Sequence, residues 1–252
     1  MTAAVLDYLV ALAEPICRHG ESLPGWWSDT GPAGTPDPAW PGGHLNLGMA
    51  HGGAGILALL SGAMRAGIQV EGHAKAVSEL CATFDRYRQG SSACPWWPAM
   101  ISLREYSQGR TSQGHQARPS WCYGTPGQAR AQQLAGLALG DQERMRVAER
   151  ALAGCVLDQQ VTGLLTDASL CHGWAGVVQA LWRAASDALN PQLLQTALRE
   201  ARRGMEDHLA RAGPPASGGL LEGTSGIQLA QNELPRTGGE LPCWDACLLL
   251  TL

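Results

Sequence analysis

The sequence predicts an all-α fold made of repeated helical hairpins. Two observations carry this. Ala and Leu are abundant, Gly reaches 32 residues and β-branched residues are sparse, a usage that suits helices broken by glycine-rich turns better than strands. A short pattern also recurs four times: a polar or aromatic residue, Gly, two residues, Gly. It appears as His51-Gly-Gly-Ala-Gly55, Tyr123-Gly-Thr-Pro-Gly127, His172-Gly-Trp-Ala-Gly176 and Glu222-Gly-Thr-Ser-Gly226, with starts separated by 72, 49 and 50 residues. Recurrence at a spacing of about 50 residues, stretched once by a long loop, is the mark of a repeat architecture.

The elements follow in order. MTAAVLDYLVALAEPICRHG has no basic leading segment, and Asp7 and Glu14 interrupt its apolar stretch, so it reads as an amphipathic helix and not as a signal peptide. Residues 19–50 form a Gly/Pro-rich loop with Trp26, Trp27 and Trp40. The first motif leads into ILALLSGAMRAG, followed by AKAVSELCATFDRYRQ. A second long loop, 90–121, carries Pro95-Trp-Trp-Pro98. The second motif opens QARAQQLAGLALG; QERMRVAERALAGCVLDQQ follows, with Asp141 placed to cap it. The third opens VVQALWRAAS; PQLLQTALREARRGMEDHLARA follows, with Pro191 in its first turn after Asn190. The fourth motif has a short helix, and the chain soon ends after PCWDACLLL, as an irregular terminal repeat would. The unit is thus a hairpin of about 50 residues, its Ala/Gly-rich helix facing inward and its charge-rich helix facing solvent. Such hairpins stack into a solenoid or close into an α/α toroid, and the period alone does not separate the two.

Residues 1–252 read as a single domain with a sizeable core, since 45% of residues are hydrophobic and 16% charged. A net charge of −4 gives no reason to expect nucleic acid as a partner. No apolar run approaches the roughly 18–20 residues that span a bilayer. Eight cysteines spread over the chain do not form a disulfide framework; in a reducing compartment they are buried, metal-bound or catalytic.

Metal-capable residues fall at one phase of the repeat. Cys122 precedes the second motif, Cys171 and His172 stand at the third, and His51 opens the first. Two thiolates and one imidazole make a neutral Zn²⁺ site with one open position, whereas structural zinc is normally closed by four protein ligands. The nearby helix starts favour the thiolate form. Taken singly, each residue has a plainer reading: His51 can support a turn, and Arg118 can be a surface ion-pair residue. Cys17, Cys81, Cys94 and Cys155 read as ordinary buried or partly buried thiols, and Cys243 and Cys247 as core. His19, His44, His73, His115 and His208 read as surface or loop residues. Trp26, Trp27, Trp96 and Trp97 either line a peptide groove or pack beneath the loops. Glu222 repeats the motif position without a metal role.

The order of motifs resembles the lanthionine synthetase C-like family, the lantibiotic cyclases. The matching stretches are Asn46-Leu-Gly-Met-Ala-His51-Gly-Gly-Ala-Gly55, Arg118-Pro-Ser-Trp-Cys122-Tyr-Gly-Thr-Pro-Gly127, Leu170-Cys171-His172-Gly-Trp-Ala-Gly176 and Leu221-Glu-Gly-Thr-Ser-Gly226, with Leu23-Pro-Gly-Trp-Trp27 and Cys243-Trp-Asp-Ala-Cys-Leu-Leu-Leu250 alongside. The resemblance covers nearly the whole chain. It implies an α/α toroid with one Zn²⁺ at its mouth, held by Cys122, Cys171 and His172, with His51 as catalytic histidine and Arg118 as active-site arginine. It also implies a cytoplasmic cyclase that meets a membrane, if at all, through a biosynthetic complex. The expected partners are a dehydrated precursor peptide and either a dehydratase or a missing N-terminal fragment. An essential family aspartate belongs to an earlier repeat, so the expectation is an incomplete ring lacking about two N-terminal hairpins. The implied reaction is addition of a peptide cysteine thiolate to dehydroalanine or dehydrobutyrine, giving a thioether ring. Two other classes stand beside it: a zinc- and thiol-binding toroid that makes no rings, and a glycan hydrolase. The hydrolase needs two carboxylates across a cleft, while the helix starts offer Cys and His.

Overall fold

The structure is a computed structural model and describes residues 2–232 and 243–251. Helix α1 spans Thr2–Ala13, α2 Gly53–Arg65 and α3 His73–Tyr87; short α4 is Leu103–Gln108. Then come α5 (Thr125–Leu139), α6 (Gln142–Leu157), a single turn α7 (Gln159–Thr162), α8 (Trp174–Ser186), α9 (Pro191–Ala212) and α10 (Thr224–Asn232). A 3₁₀ segment, Trp244–Leu248, ends the described chain.

Each glycine motif starts one of the helices α2, α5, α8 and α10, and these four pack side by side in repeat order, α2 on α5, α5 on α8 and α8 on α10. They form the inner row. Helix α5 is buried from Thr125 to Gly136, which fits a helix covered on all sides. The outer helices α3, α6 and α9 pack against the row or against each other. In α9 only Leu194, Ala197, Leu198, Ala201 and Met205 are buried, the spacing of a one-sided stripe. Outer helices carry conventional caps: the side chain of Asp141 accepts from the backbone N–H of Arg144, and that of Asn190 from the backbone N–H of Leu193. The inner starts at Gly52, Gly124 and Gly173 have no side-chain cap.

Three small antiparallel ladders, of which the sparse β-branched content gave no hint, form in and beside the long loops; the first begins within the N-terminal stretch read as helix, where the helix itself ends at Ala13. β1 (Pro15–Arg18) pairs with β2 (Glu21–Pro24), β3 (His44–Asn46) with β6 (Met100–Ser102), and β4 (Gln89–Gly90) with β5 (Pro95–Trp96). The β3–β6 ladder matters most, because Leu45 opposite Ile101 joins the two long loops just before His51.

Several single-residue expectations change. Helix α1 forms, but it buries only Leu6 and exposes Val5 and Tyr8, so it is apolar on more than one face. His44 and His73 are buried, each ring nitrogen 2.8 Å from a carbonyl oxygen, of Thr30 and Leu60 respectively. The loop tryptophans Trp27, Trp96 and Trp97 are buried; the indole N–H of Trp97 donates to Phe84 O and that of Trp27 to Gly42 O. Cys17 is exposed on the edge strand β1, and Cys243 and Cys247 are exposed because the 3₁₀ segment turns Asp245 and Leu248 inward instead.

Candidate metal centre

The loop before each inner helix folds back over that helix's first turn. Ser120 O accepts from the N–H groups of Gly124 and Gly127, and Ser169 O accepts from those of Gly173 and Gly176. Backbone donors that a side-chain cap would otherwise satisfy are thus met by the loop itself. This close approach explains the second glycine of the motif. A Cβ on Gly55, Gly127, Gly176 or Gly226 would overlap the carbonyl oxygen six residues earlier, of Met49, Trp121, Leu170 and Leu220.

The loops are then stitched to one another at equivalent positions. Ala50 N–H donates to Cys122 O at 3.1 Å, Cys122 N–H to Cys171 O at 3.2 Å, and Cys171 N–H to Leu221 O at 2.8 Å. These four residues each stand just before a motif, so the repeat brings residues 49 positions apart in sequence into contact. Cys122, Cys171 and His172 meet here, with their candidate ligand atoms all within 4.8 Å of one another, the one such His/Cys/Asp/Glu group among the described residues. Tetrahedral zinc with Zn–S near ~2.3 Å places ligand atoms about 3.5–3.8 Å apart, so the set fits a metal with small side-chain adjustments. Cys122 is buried, while Cys171 and His172 are half-buried, which leaves the cluster approachable from one side.

The electrostatics point the same way. The Cys122 thiol is lowered to about 6, chiefly by a hydrogen bond from Cys171; burial opposes this, and Ser120, the charge of His172 and the Tyr123 N–H assist. Cys171 is pushed up by its bond to Cys122, then by burial and by the charges of Cys122 and Glu222. Without a cation the two thiols share one negative charge, with Cys122 ionising first. A divalent cation removes that conflict and favours both thiolates.

Around the cluster, the His51 ring lies 6.2 Å from that of Tyr123, the residue following Cys122. Arg118 approaches Asp167 with Nη1 3.7 Å from Oδ2 and Thr166 Oγ1 at 3.5 Å. The same Asp167 Oδ2 lies 3.5 Å from His172 Nε2. Burial raises the Asp167 carboxyl, but hydrogen bonds from Ser169 and the charges of His172 and Arg118 outweigh it and hold it below the usual carboxylate range. Asp167 went unnoticed in the sequence because it lies outside the glycine motif. The signal that finds it is its offset: it stands four residues before Cys171, as Arg118 stands four before Cys122. A cleft of about 380 Å³ adjoins the cluster, lined by Asp167, His172, His208, Pro214 and Glu222 among others.

Stacked α-hairpins with two cysteines and a histidine converging at the inner helix starts define an α/α-hairpin protein with a candidate three-ligand metal centre. The chain belongs to the lanthionine synthetase C-like protein family, whose model matches residues 6–249. It is similar to the nisin biosynthesis protein NisC of Lactococcus lactis subsp. lactis, with 26% identity over 191 residues, 75% of this chain and 45% of that protein. It is also similar in fold to a solved nisin cyclase, with a TM-score of 0.79 at 22% identity, covering 98% of this chain and 60% of the other. The fold is therefore the helical toroid of that family, and the chain spans less than half the length of the curated relative. Among the described residues no helix is long and apolar enough to cross a membrane.

Proposed function

We propose that this chain is a zinc-dependent lanthipeptide cyclase. It would add cysteine thiolates of a dehydrated precursor peptide to dehydroalanine or dehydrobutyrine in the same peptide. The observation that carries the proposal is the convergence of Cys122, Cys171 and His172 at equivalent ends of successive inner helices.

These three residues would hold the metal, leaving one position open. A bound zinc ion supplies a Lewis acid at which a thiol loses its proton near neutral pH. In the addition, the sulfur–Cβ bond forms as the Cα=Cβ π bond breaks, and the electron pair moves onto the amide as an enolate. A proton then returns to Cα. His51, exposed beside Tyr123, is the group assigned to deliver that proton. Arg118, at the rim next to Asp167, supplies positive charge near the developing enolate oxygen. The residues themselves neither oxidise nor reduce the substrate, so the reaction needs no redox partner.

The test is incubation with a dehydrated precursor that still carries free cysteines, followed by alkylation and mass spectrometry. Each ring formed removes one alkylatable thiol at constant peptide mass. Thiol loss is expected with the native chain, with none in Cys171→Ala and less in His51→Asn. Metal and thiol binding without any ring formation would overturn the cyclase proposal in favour of a binding protein.

A further inference from the structure

Asp167 occupies the same place in its loop that Asn46 occupies in the first repeat. Asn46 Oδ1 accepts from Gly48 N–H at 2.8 Å, and Asp167 Oδ1 accepts from Ser169 N–H at 2.7 Å. The turn itself is therefore served by a neutral amide as well as by a carboxylate. What Asp167 adds is a negative charge and a second oxygen. That oxygen faces two groups at once, His172 Nε2 at 3.5 Å and Arg118 Nη1 at 3.7 Å. Gly173 makes room for the carboxylate, since a Cβ there would overlap Asp167 Oδ1.

We propose that Asp167 is a positioning residue of the metal centre, its free carboxylate oxygen orienting the His172 ring and joining it to Arg118. The proposal rests on the zinc reading above. One oxygen is fixed to the backbone, so the other has a defined position and is not a mobile surface charge. A histidine that donates Nε2–H to this oxygen keeps its lone pair on Nδ1, and both ring orientation and tautomer are set by the contact. Arg118 meets the same oxygen, so the arginine from one repeat and the imidazole from the next are held by one carboxylate. A rearrangement at either would be felt at the other.

The discriminating variant is Asp167→Asn, which retains the turn, as Asn46 shows, but removes the charge and can present a donor to His172. Zinc affinity is measured by competition with a chromophoric chelator, and the cobalt-substituted protein is examined by visible absorption. Asp167→Asn is expected to bind zinc roughly 10- to 100-fold more weakly. Its thiolate-to-cobalt bands should persist while the ligand-field bands change, and Asp167→Glu should recover part of the affinity. Circular dichroism and the melting curve of the metal-free variant should match those of the native chain. Native zinc affinity and an unchanged cobalt spectrum in Asp167→Asn would overturn this proposal alone. A native chain that binds no zinc would overturn the zinc reading and this proposal with it.

Discussion

At the residue scale, chemistry is concentrated at one position of the repeat, and the ladder Ala50–Cys122–Cys171–Leu221 shows how. Two of its four members are thiols, and they share one charge. In the metal-free protein Cys122 is lowered to about 6, whereas Cys81 is raised to about 11 by burial. A lowered thiol is ionised at neutral pH and becomes protonated as pH falls through its own value. Alkylation by iodoacetamide with peptide mapping should therefore label Cys122 at pH 7 well before Cys81, with the Cys122 rate falling near pH 6. A Cys122 midpoint in the ordinary thiol range would contradict the shared-charge description. Cys122, Cys171 and His172 were legible in the sequence as candidate ligands because each lies at or next to a glycine motif. Asp167 was not, since an aspartate in a loop signals only a turn until its second oxygen is seen against His172.

At the element scale, helices α2, α3, α5, α6, α8 and α9 lie where hydrophobic period and caps place them, including the caps at Asp141 and Asn190. What escaped the sequence is the internal order of the loops, because short ladders such as β3–β6 depend on partners far along the chain. The motif glycines carry a steric demand. Gly176→Ala would push against Leu170 O in the loop that holds Cys171. It should cost about 1–3 kcal/mol and weaken metal binding, read by thermal melting with and without zinc. Helix α4 provides a pH-dependent element. Glu105 completes a capping box with Ser102 and accepts from Ser112 N–H and Oγ, each at 2.6 Å. Burial raises its carboxyl, but the bonds from Ser112 and Ser102 prevail and bring it to about 2. Its folded value lies below its unfolded one, so the stabilisation is complete above about pH 4.5 and is lost as pH falls towards 2. Glu105→Gln should cost about 1 kcal/mol at neutral pH, and chemical denaturation across pH should show the difference closing over that acid range.

At the scale of the whole molecule, the 3₁₀ segment ties the inner row together. Arg183 of α8 meets both carboxylate oxygens of Asp245 at 2.6 Å, and Gln179 donates to the same group. Arg130 of α5 donates to Leu250 O, and the Trp121 indole, next to Cys122, donates to Leu248 O, both at 2.9 Å. The Arg183–Asp245 pair is almost fully buried, so removing Asp245 takes away the carboxylate that both Arg183 and Gln179 bond. Asp245→Ala should cost about 3–5 kcal/mol, and replacing Arg183 and Asp245 together by apolar residues should recover much of it. Equal stability of Asp245→Ala and the native chain by urea denaturation would show that the segment bears no such load. The repeat revealed the hairpins and the family resemblance, but not this tie. A buried ion pair between residues 62 positions apart has no local sequence signature.

If the inner helix starts build a three-ligand zinc centre, the purified chain carries the metal. The direct measurement is zinc content of the purified chain by inductively coupled plasma mass spectrometry, beside Cys171→Ala. About one zinc per chain, lost in the variant, is the expected result. A folded native chain that takes up no zinc, or a Cys171→Ala chain that keeps it, would contradict the claim.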